Sequence, residues 1–256
     1  DMEVSMSTLF YLSSAQMDVI RPFFPRSRGI PRKDDQKIIS GIIHVLKFGL
    51  RWKDAPKEYG PYKTLYNRFV RWSNMGVFKK IFTALSESTQ DTSLLMIDAT
   101  CLKAHKTAAS LRKKGFLSLI GRTKGGLNTK LHVVCDSDGR PIRTLLTAGT
   151  ISDYGGAAYL LPTLPSTRML LADRCYDAGW MRSFLKNRGC TPCIPSRKNA
   201  KSQEYYDKKQ YRQRHKIENM FSRLKDWRRI ATRYDCCAQS VFGNFSFYSY
   251  KKACGQ

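Results

Sequence analysis

The chain has 256 residues, 42% of them hydrophobic and 12% aromatic, which is enough to bury a substantial core and excludes a disordered polyelectrolyte. Lysine and arginine number 45 against 20 aspartates and glutamates, for a formal net charge of +25. That excess is costly in self-repulsion unless a polyanion shares the surface, so it favours a nucleic-acid partner over a merely solvated basic surface.

Membrane and secretory roles are not expected. The sequence contains no run of about 18 apolar residues, and DMEVSMSTLFYLSSAQ has no lysine or arginine before its apolar patch, unlike a secretory signal. Eight cysteines lie scattered without framework spacing, which indicates reduced thiols in a cytoplasmic protein. The CxxC from Cys190 to Cys193 has no second pair, so buried inert thiols are expected there rather than zinc.

The first third of the sequence is helical in pattern. In LSSAQMDVIRPFF, Ser13 and Gln16 have the spacing of a capping box, and the helix should stop near Pro22. Asp34 or Asp35 can cap a second helix, whose isoleucines recur at helical spacing.

A third helix is predicted around YKTLYNRFVRWSNMG, with Leu65, Phe69 and Trp72 on one side. Its basic residues on the other sides are Lys63, Arg68 and Arg71. Two helices of which the later one exposes basic groups are typical of a helix-turn-helix, although any amphipathic helix of a basic protein has this pattern. We therefore interpret residues 1–90 as an all-helical, helix-turn-helix-like DNA-binding domain.

From about residue 91 strands alternate with helices. The segments LLMIDAT, TKLHVVCD and RPIRTLLTAG predict three strands, the last two joined as a hairpin through SDGR. A helix, the strand RMLLADRCYD, a second helix, the strand TPCIPS and a long final helix follow. This order predicts an α/β unit with a mixed sheet over residues 91–256 and a boundary near residues 86–93.

Two apolar strands each deliver an aspartate, Asp98 in MIDAT and Asp173 in LADRCYD. Strand ends are where sites are built in mixed sheets, and hard divalent cations prefer carboxylate oxygens. Each acid alone is more simply a turn or helix cap. Two of them in so basic a protein favour a metal site.

The stretch YRQRHKIENMFSRLK contains one acid, Glu218, among many cations. On a helix, residues Tyr211, Arg214, Glu218 and Lys225 share one arc, beside an apolar stripe. Glu218 can therefore be the third carboxylate of a two-metal site that clamps a phosphodiester, with Arg214 and Lys225 contacting phosphates. The alternative is a solvated Arg214–Glu218 pair at i, i+4, contributing about 0.3–0.5 kcal/mol.

Other residues have less distinct patterns. GRTKGGLNTK places Arg122, Lys124 and Lys130 on a basic segment that can lie against a DNA backbone. His132 alternates with apolar neighbours and is interpreted as a hydrogen-bonded strand histidine. Trp180 can stack on an extruded base, but packing in the core is the favoured use.

The spacing of Tyr211, Arg214, Glu218 and Lys225 resembles the signature around the catalytic glutamate of DDE transposases from bacterial insertion sequences. The blocks GIPRKDDQKIISGIIHVLKFGLRWKDAP, MIDAT, GRTKGGLNTKLHVVCDSDGRP and LLADRCYD resemble, more narrowly, the insertion-sequence-five group. The resemblance extends in order from about residue 9 to residue 250.

This resemblance implies a ribonuclease-H-like catalytic core preceded by a helical DNA-binding region. By position, Asp98, Asp173 and Glu218 match the three catalytic acids, which together bind two Mg²⁺ or Mn²⁺ ions. Such enzymes, in the bacterial cytoplasm at the nucleoid, cut DNA at terminal inverted repeats and join the freed 3′ hydroxyl to target DNA, as homodimers or larger synaptic complexes. A non-cleaving DNA-binding regulator and a plain metal-dependent nuclease remain as alternatives.

Overall fold

A computed structural model describes residues 9–27, 29, 32, 34–87, 91–110, 119–200, 202–235 and 238–253. Ser13 accepts a hydrogen bond from the backbone N–H of Gln16, whose side chain accepts one from the N–H of Ser13, so the predicted capping box is confirmed. Asp34 caps the second helix by accepting from the N–H of Lys37, also as predicted. The α-helices described in this region are α1 (Ser14–Ile20), α2 (Asp35–Phe48), α3 (Tyr62–Asn74) and α4 (Val77–Glu87).

The connection between α2 and α3 differs from a compact helix-turn-helix. Residues 49–61 lie between them and contain two short 3-10 turns, Trp52–Asp54 and Lys57–Tyr59. A helix-turn-helix joins its helices by a turn of about three or four residues. The two helices nevertheless pack together, because Leu65 and Phe69 of α3 are completely buried, as the sequence predicted.

A mixed sheet follows. Strand β1 lies at its centre, antiparallel to β3 on one edge and parallel to β5 on the other, while β3 pairs with β4 and β5 pairs with β6. The prediction of a mixed sheet is confirmed. The strands are β1 (Leu94–Ala104), β2 (Gly121–Thr123), β3 (Gly126–Cys135), β4 (Pro141–Ala148), β5 (Met169–Leu171), β6 (Thr191–Cys193) and β7 (Thr232–Arg233).

Helices cover both faces of the sheet, and each face has its own apolar cluster. Ala157 and Leu160 of α6 and Met181 of α7 belong to one cluster. Ile217 and Leu224 of α9 belong to the other. The remaining helices are α5 (Lys106–Ser110), α6 (Asp153–Leu160), α7 (Gly179–Asn187), α8 (Lys208–Tyr211), α9 (His215–Lys225), α10 (Arg228–Ala231) and α11 (Ala238–Ala253).

The predicted long helix around Glu218 is divided. Helix α8 ends at Tyr211, a 3-10 turn spans Arg212–Arg214, and α9 begins at His215. The apolar stripe survives this division, since Ile217 and Leu224 are fully buried. Helix α9 is also fixed to the β3–β4 turn: Lys216 donates a hydrogen bond to the Ser137 carbonyl at 2.6 Å.

Gly139 in that turn explains how closely the two elements approach. Its φ is +72°, and a Cβ added there would lie 2.9 Å from the Lys216 carbonyl oxygen. Only glycine meets both requirements without strain. The turn sequence SDGR therefore sets the position of α9 over the sheet.

The N-terminal helices share the larger apolar cluster with the sheet. Phe82 of α4 lies 5.7 Å from Phe245 of α11, measured between ring centroids, and Trp72, Phe78 and Leu102 belong to the same cluster. The predicted boundary near residues 86–93 lies between the end of α4 at Glu87 and the start of β1 at Leu94, and residues 88–90 of it are outside the described part of the chain. Packing continues across it. Within the described part of the chain, no helix is both long and apolar enough to cross a bilayer.

Candidate active site

Asp98 lies on β1 at a point where, among the described residues, no strand pairs with one of its two edges. On that edge β5 pairs with residues 94–96 and β7 with residues 103–104, and residues 97–102 lie between the two pairings. Asp98 itself is paired on the other edge, opposite Val133 of β3. The aspartate is thus held on a rigid central strand beside an opening in the sheet, and its side chain is 17% exposed.

Asp173 arrives at the same opening from β5. Met96 pairs with Leu171 in parallel register, and two residues further along the chain β1 reaches Asp98, while the segment after β5 reaches Asp173. Asp173 caps the 3-10 turn that follows, because one of its oxygens accepts from the N–H of Cys175 at 2.8 Å. Asp173 therefore caps a turn, as expected of a single acid at the end of a strand, and it also follows the strand next to Asp98.

Arg214 connects the first acid to Glu218. Its guanidinium donates to Asp98 at 3.2 Å and to Glu218 at 2.6 Å, and its side chain is only 13% exposed. The predicted i, i+4 pair with Glu218 is found, yet it is not merely a solvated contact, because the same guanidinium also reaches the sheet. The side chain of Glu218 is 57% exposed.

The electrostatics of the opening are dominated by burial and by like charges. Burial raises the pKa of Asp98 to about 6, Asp173 and Asp153 add to the rise, and Arg214 and the Ala99 amide oppose it. A carboxyl group whose charge is disfavoured in this way is stabilised by any cation that reaches it. Positive charge is therefore favoured at this position.

The donor set fits a hard divalent cation, but the acids are not gathered around one point. Among the described residues, no group of three or more histidine, cysteine, aspartate or glutamate side chains is close enough to hold a metal ion. Arg214 instead lies between Asp98 and Glu218. Carboxylate oxygens are the ligands that Mg²⁺ prefers, and the guanidinium marks a position where they already accommodate a cation.

The sequence matches two family models. "Transposase DDE domain" matches residues 89–241, and "Putative transposase of IS4/5 family" matches residues 12–82. This chain belongs to the DDE transposase family. The resemblance seen in the sequence is confirmed, and with it a transposase that cleaves and transfers DNA strands. Membership also implies DNA as partner and the use of a divalent metal ion.

Individual relatives are similar to part of this chain. A "Putative transposase for insertion sequence element IS6501" from Brucella ovis is 38% identical over 118 residues, which cover 46% of this chain and 91% of that protein. An "Uncharacterized protein y4sN" from Sinorhizobium fredii is 31% identical over 105 residues, covering 40% of this chain and 83% of that protein.

Solved structures are similar only at a distance. The piggyBac transposase synaptic complex with hairpin DNA has a TM-score of 0.49 at 10% identity, covering 92% of this chain and 71% of that one. The pre-cleavage Mos1 transpososome has a TM-score of 0.29 at 12% identity, covering 90% and 81%. Likeness at this level assigns no role to any residue of this transposase.

Two further members of the predicted signature flank the acids. Tyr211, at the end of α8, is half-buried with its ring 5.3 Å from that of Tyr206, and the charges of Arg214 and Asp173 both act on it. Lys225, the last residue of α9, is exposed. Tyr211 thus lies by the opening, whereas Lys225 is available to solvent about two helical turns beyond Glu218.

The predicted basic segment divides into free and paired side chains. Arg122 and Lys124, on β2 and the turn after it, are exposed. Lys130 of β3 is only 14% exposed and forms a 2.9 Å ion pair with Asp153 of α6. Its role as a DNA-backbone contact stays a prediction, and in the DNA-free chain its ammonium group neutralises an acid.

The same division occurs on α3. Lys63 and Arg71 are exposed. Arg68 is 13% exposed, forms an ion pair with Asp35 of α2, and lies with its guanidinium carbon 4.9 Å from the ring centroid of Trp72. Arg68 therefore joins α3 to α2 in the DNA-free chain, and its place among the DNA-contacting residues stays a prediction.

Trp180 corrects another expectation. It lies at the start of α7 and is 43% exposed, so the prediction that it packs in the core is wrong. His132 has the expected role: it is fully buried, with its Nε2 2.9 Å from the Thr147 hydroxyl. Cys190 and Cys193 are buried free thiols whose pKa values burial raises, in keeping with inert side chains.

The sequence patterns did not single out Arg174, Arg197 or Asp153, which lie beside the opening. The guanidinium of Arg197 donates to the carbonyls of Arg174 and Cys175 at 3.5 and 3.3 Å, and both arginines are exposed. Their position follows from a loop that folds back onto the Asp173 turn, which no local pattern reveals. Asp153 had a visible signal, since it opens a helix directly after the capping residue Ser152.

Proposed function

We propose that this transposase binds the terminal inverted repeats of an insertion sequence, cuts them, and joins the freed ends to target DNA at one site built on Asp98, Asp173 and Glu218. These three carboxylates would hold two Mg²⁺ or Mn²⁺ ions. The reaction would take place in a bacterial cell at the nucleoid, where both the element and its targets lie.

One observation carries the assignment of the site. Arg214 extends a guanidinium between Asp98, from the central strand, and Glu218, from α9, while the β1–β5 register brings Asp173 to the same opening. Two of the three acids thus already share one cation, and the third follows the strand next to β1. When bound, the metal ions would activate the attacking oxygen and neutralise charge on the phosphodiester.

Arg214 and the metal ions would then compete for the same carboxylates. A guanidinium released from Asp98 can present its planar donors to a phosphate, which binds it in a bidentate manner. DNA that engages Arg214 would in this way free Asp98 for a metal ion. Lys225 and Tyr211 would contact the strand on either side.

Exposed cations suggest where the rest of the DNA lies. Arg174 and Arg197 flank the Asp173 turn, and Arg122 and Lys124 extend from the β2–β3 hairpin. We propose that these four contact the phosphate backbone near the cleavage position. Each such contact contributes to affinity and to its salt dependence without specifying sequence.

Recognition of the element's ends would belong to residues 1–90 and catalysis to residues 91–256. Helix α3 is the candidate for base contacts, because Lys63 and Arg71 are exposed on it. An element has two ends and each needs a catalytic site, so a homodimer or larger assembly is expected on DNA. Light scattering with and without paired end DNA measures that assembly directly.

Cleavage of end-containing DNA tests the site. The purified chain with Mg²⁺ or Mn²⁺ should nick such DNA, and Asp98→Ala, Asp173→Ala or Glu218→Ala should abolish nicking while leaving DNA binding intact. Asp138→Ala is the matched control, since this exposed acid lies in the β3–β4 turn. Full cutting by any of the three site variants would refute the assignment.

The DNA products of the reaction distinguish a transposase from a nuclease and from a non-cleaving regulator. Covalent linkage of the cut end to target DNA identifies a transposase, whereas hydrolysis alone identifies a nuclease. Binding without either reaction, in the presence of both metal ions, identifies a regulator.

A further inference from the structure

The loop between β6 and α8, residues 194–207, lies against the turn that Asp173 caps. Its described residues form neither helix nor strand, so side-chain contacts decide where this β6–α8 loop lies. Arg197 makes the contacts with the turn: its guanidinium donates to the carbonyls of Arg174 and Cys175 at 3.5 and 3.3 Å. Those two residues directly follow Asp173, so the loop brings Arg197 beside that acid.

The charge of Arg197 is held in place but not neutralised. Its side chain is exposed, and within the described part of the chain its guanidinium is hydrogen-bonded only to these two carbonyl oxygens. Arg214, by contrast, contacts two acids. A guanidinium that is oriented and retains its full charge is suited to binding a phosphate group.

Asp177 fixes the backbone of Arg197. One carboxylate oxygen, Oδ2, accepts from the N–H of Arg197 at 2.8 Å, and the other, Oδ1, accepts from Nε of Arg182 at 2.9 Å. Arg182 lies on α7 and also donates to the Ile194 carbonyl, where the loop begins, at 2.8 Å. One pair of side chains therefore holds the loop at two points.

This pair is largely buried, since the side chains of Arg182 and Asp177 are 8% and 14% exposed. Removing two charges from water is costly, and apolar residues of similar volume often stabilise such a position at least as well. Attaching α7 to the turn therefore does not require a charged pair. Apolar side chains could not, however, accept from the N–H of Arg197 or donate to the Ile194 carbonyl.

We propose that Asp177 and Arg182 are positioning residues for DNA binding. They hold the β6–α8 loop so that Arg197 meets a phosphate group of the strand bound at the Asp173 turn. The inference rests on the proposed function, in which Arg197 contacts the DNA backbone, and it adds the two residues on which that contact depends. The alternative is that the pair only stabilises α7.

Asp177→Asn tests this inference, because an asparagine side chain has one oxygen and can accept from only one of the two donors. The full chain is titrated onto a fluorescein-labelled duplex of the element's terminal repeat, without added divalent metal, and fluorescence anisotropy gives the affinity at several salt concentrations. Asp177→Asn should weaken binding and reduce the slope of log affinity against log salt concentration by about 1, which corresponds to one phosphate contact. Loss of a negative charge would by itself strengthen binding to DNA, so the sign of the effect is informative.

Arg197→Gln should reduce the slope by the same amount. The double variant Asp177→Asn, Arg197→Gln should bind no more weakly than Arg197→Gln alone, because a guanidinium that is absent cannot be misplaced. If the pair only stabilises α7, Asp177→Asn will leave the slope unchanged, or its effect will add to that of Arg197→Gln. Either result overturns the inference.

Glu204→Gln is the matched control, because it removes an acid from the same loop. This side chain is 47% exposed and lies 3.8 Å from the ammonium group of Lys186. Glu204→Gln should bind DNA as well as the unaltered chain or slightly better, with the same salt slope. If it weakens binding as much as Asp177→Asn does, the loss of an acid and not the placement of Arg197 is responsible, and the inference is overturned.

A second variant is available if Asp177→Asn does not fold. Asp177→Leu combined with Arg182→Met removes both charges together, so neither is left buried without a partner. This variant should fold and show the same reduced slope. An unchanged slope in the folded variant would overturn the inference.

Arg197→Gln also distinguishes this inference from the proposed function. If Arg197→Gln leaves the slope unchanged, Arg197 does not contact the DNA backbone, and both the contact and the positioning role are wrong. If Arg197→Gln reduces the slope and Asp177→Asn does not, the contact stands and only the positioning role is wrong.

Discussion

Protonation of His132 should make the transposase less stable in mild acid. Its ring is fully buried on β3, between Lys130 on its own strand, Thr147 on β4 and Asp153 on α6. Burial lowers its pKa from 6.5 to about 4, with Lys130 adding to the fall and Asp153 opposing it. The folded chain therefore keeps this ring neutral over a range in which the unfolded chain binds a proton.

The size of the effect follows from the difference between the two pKa values. Stability is complete above pH 6.5 and is lost progressively as the pH falls toward 4, because only the unfolded state gains the proton. On going from pH 7.5 to pH 5, this histidine lowers the free energy of unfolding by about 2 kcal/mol, at 1.36 kcal/mol for each pH unit below 6.5.

Urea unfolding, followed by tryptophan fluorescence at pH 7.5, 6 and 5, measures this. His132→Gln is the matched variant, since its amide can still reach the Thr147 hydroxyl but carries no charge at any of these pH values. Its stability deficit relative to the unaltered chain should shrink by about 2 kcal/mol from pH 7.5 to pH 5. Other titrating groups are common to both proteins and cancel in the difference. A deficit that stays constant across the series would refute the buried, neutral state of His132.

Two further predictions concern packing and DNA affinity. Gly156→Ala should destabilise the fold by about 1–3 kcal/mol, because its Cβ would lie 2.2 Å from the His132 ring. The control is Gly179→Ala, whose new Cβ would meet no neighbouring group of the described residues within 4 Å. Its stability against urea should be unchanged or slightly higher. Arg68→Gln should lower the stability of the fold and Arg71→Gln should not. In fluorescence anisotropy titrations, Arg71→Gln should weaken DNA binding and reduce the slope of log affinity against log salt concentration by about 1. Equal thermal stability of the two arginine variants, or an unchanged salt slope for Arg71→Gln, would contradict their assigned roles.

Local signals predicted much of this fold correctly. The capping residues Ser13 and Asp34 depend on contacts within three positions, and the β3–β4 hairpin depends on a short turn containing Gly139. Alternation and helical spacing then gave the order of strands and helices. These features are written in short stretches of sequence, so they can be recognised without tertiary information.

Contacts between distant residues could not be predicted in the same way. Arg68 pairs with Asp35, 33 positions earlier, and Lys130 with Asp153, 23 positions later. A periodic pattern shows which face of an element is polar, but it does not show whether a cation on that face meets an acid or a phosphate. Both residues were for that reason expected on the DNA surface.

The candidate site shows the same limit. Asp98, Asp173 and Glu218 were selected because an acid in an apolar strand or a basic helix is conspicuous. Arg214 was expected beside Glu218, yet its second contact with Asp98 depends on how α9 lies across β1.

The packing of α11 on α4 has a consequence for incomplete copies of the gene. Phe245 and Gly243 of α11 lie against Phe82 and Phe78 of α4. Helix α11 therefore completes the apolar core of the N-terminal helices. A polypeptide released before residue 238 would leave those phenylalanines in water. Such a fragment would be degraded or would aggregate rather than occupy the element's ends, so truncated copies could not act as competitors of the intact protein.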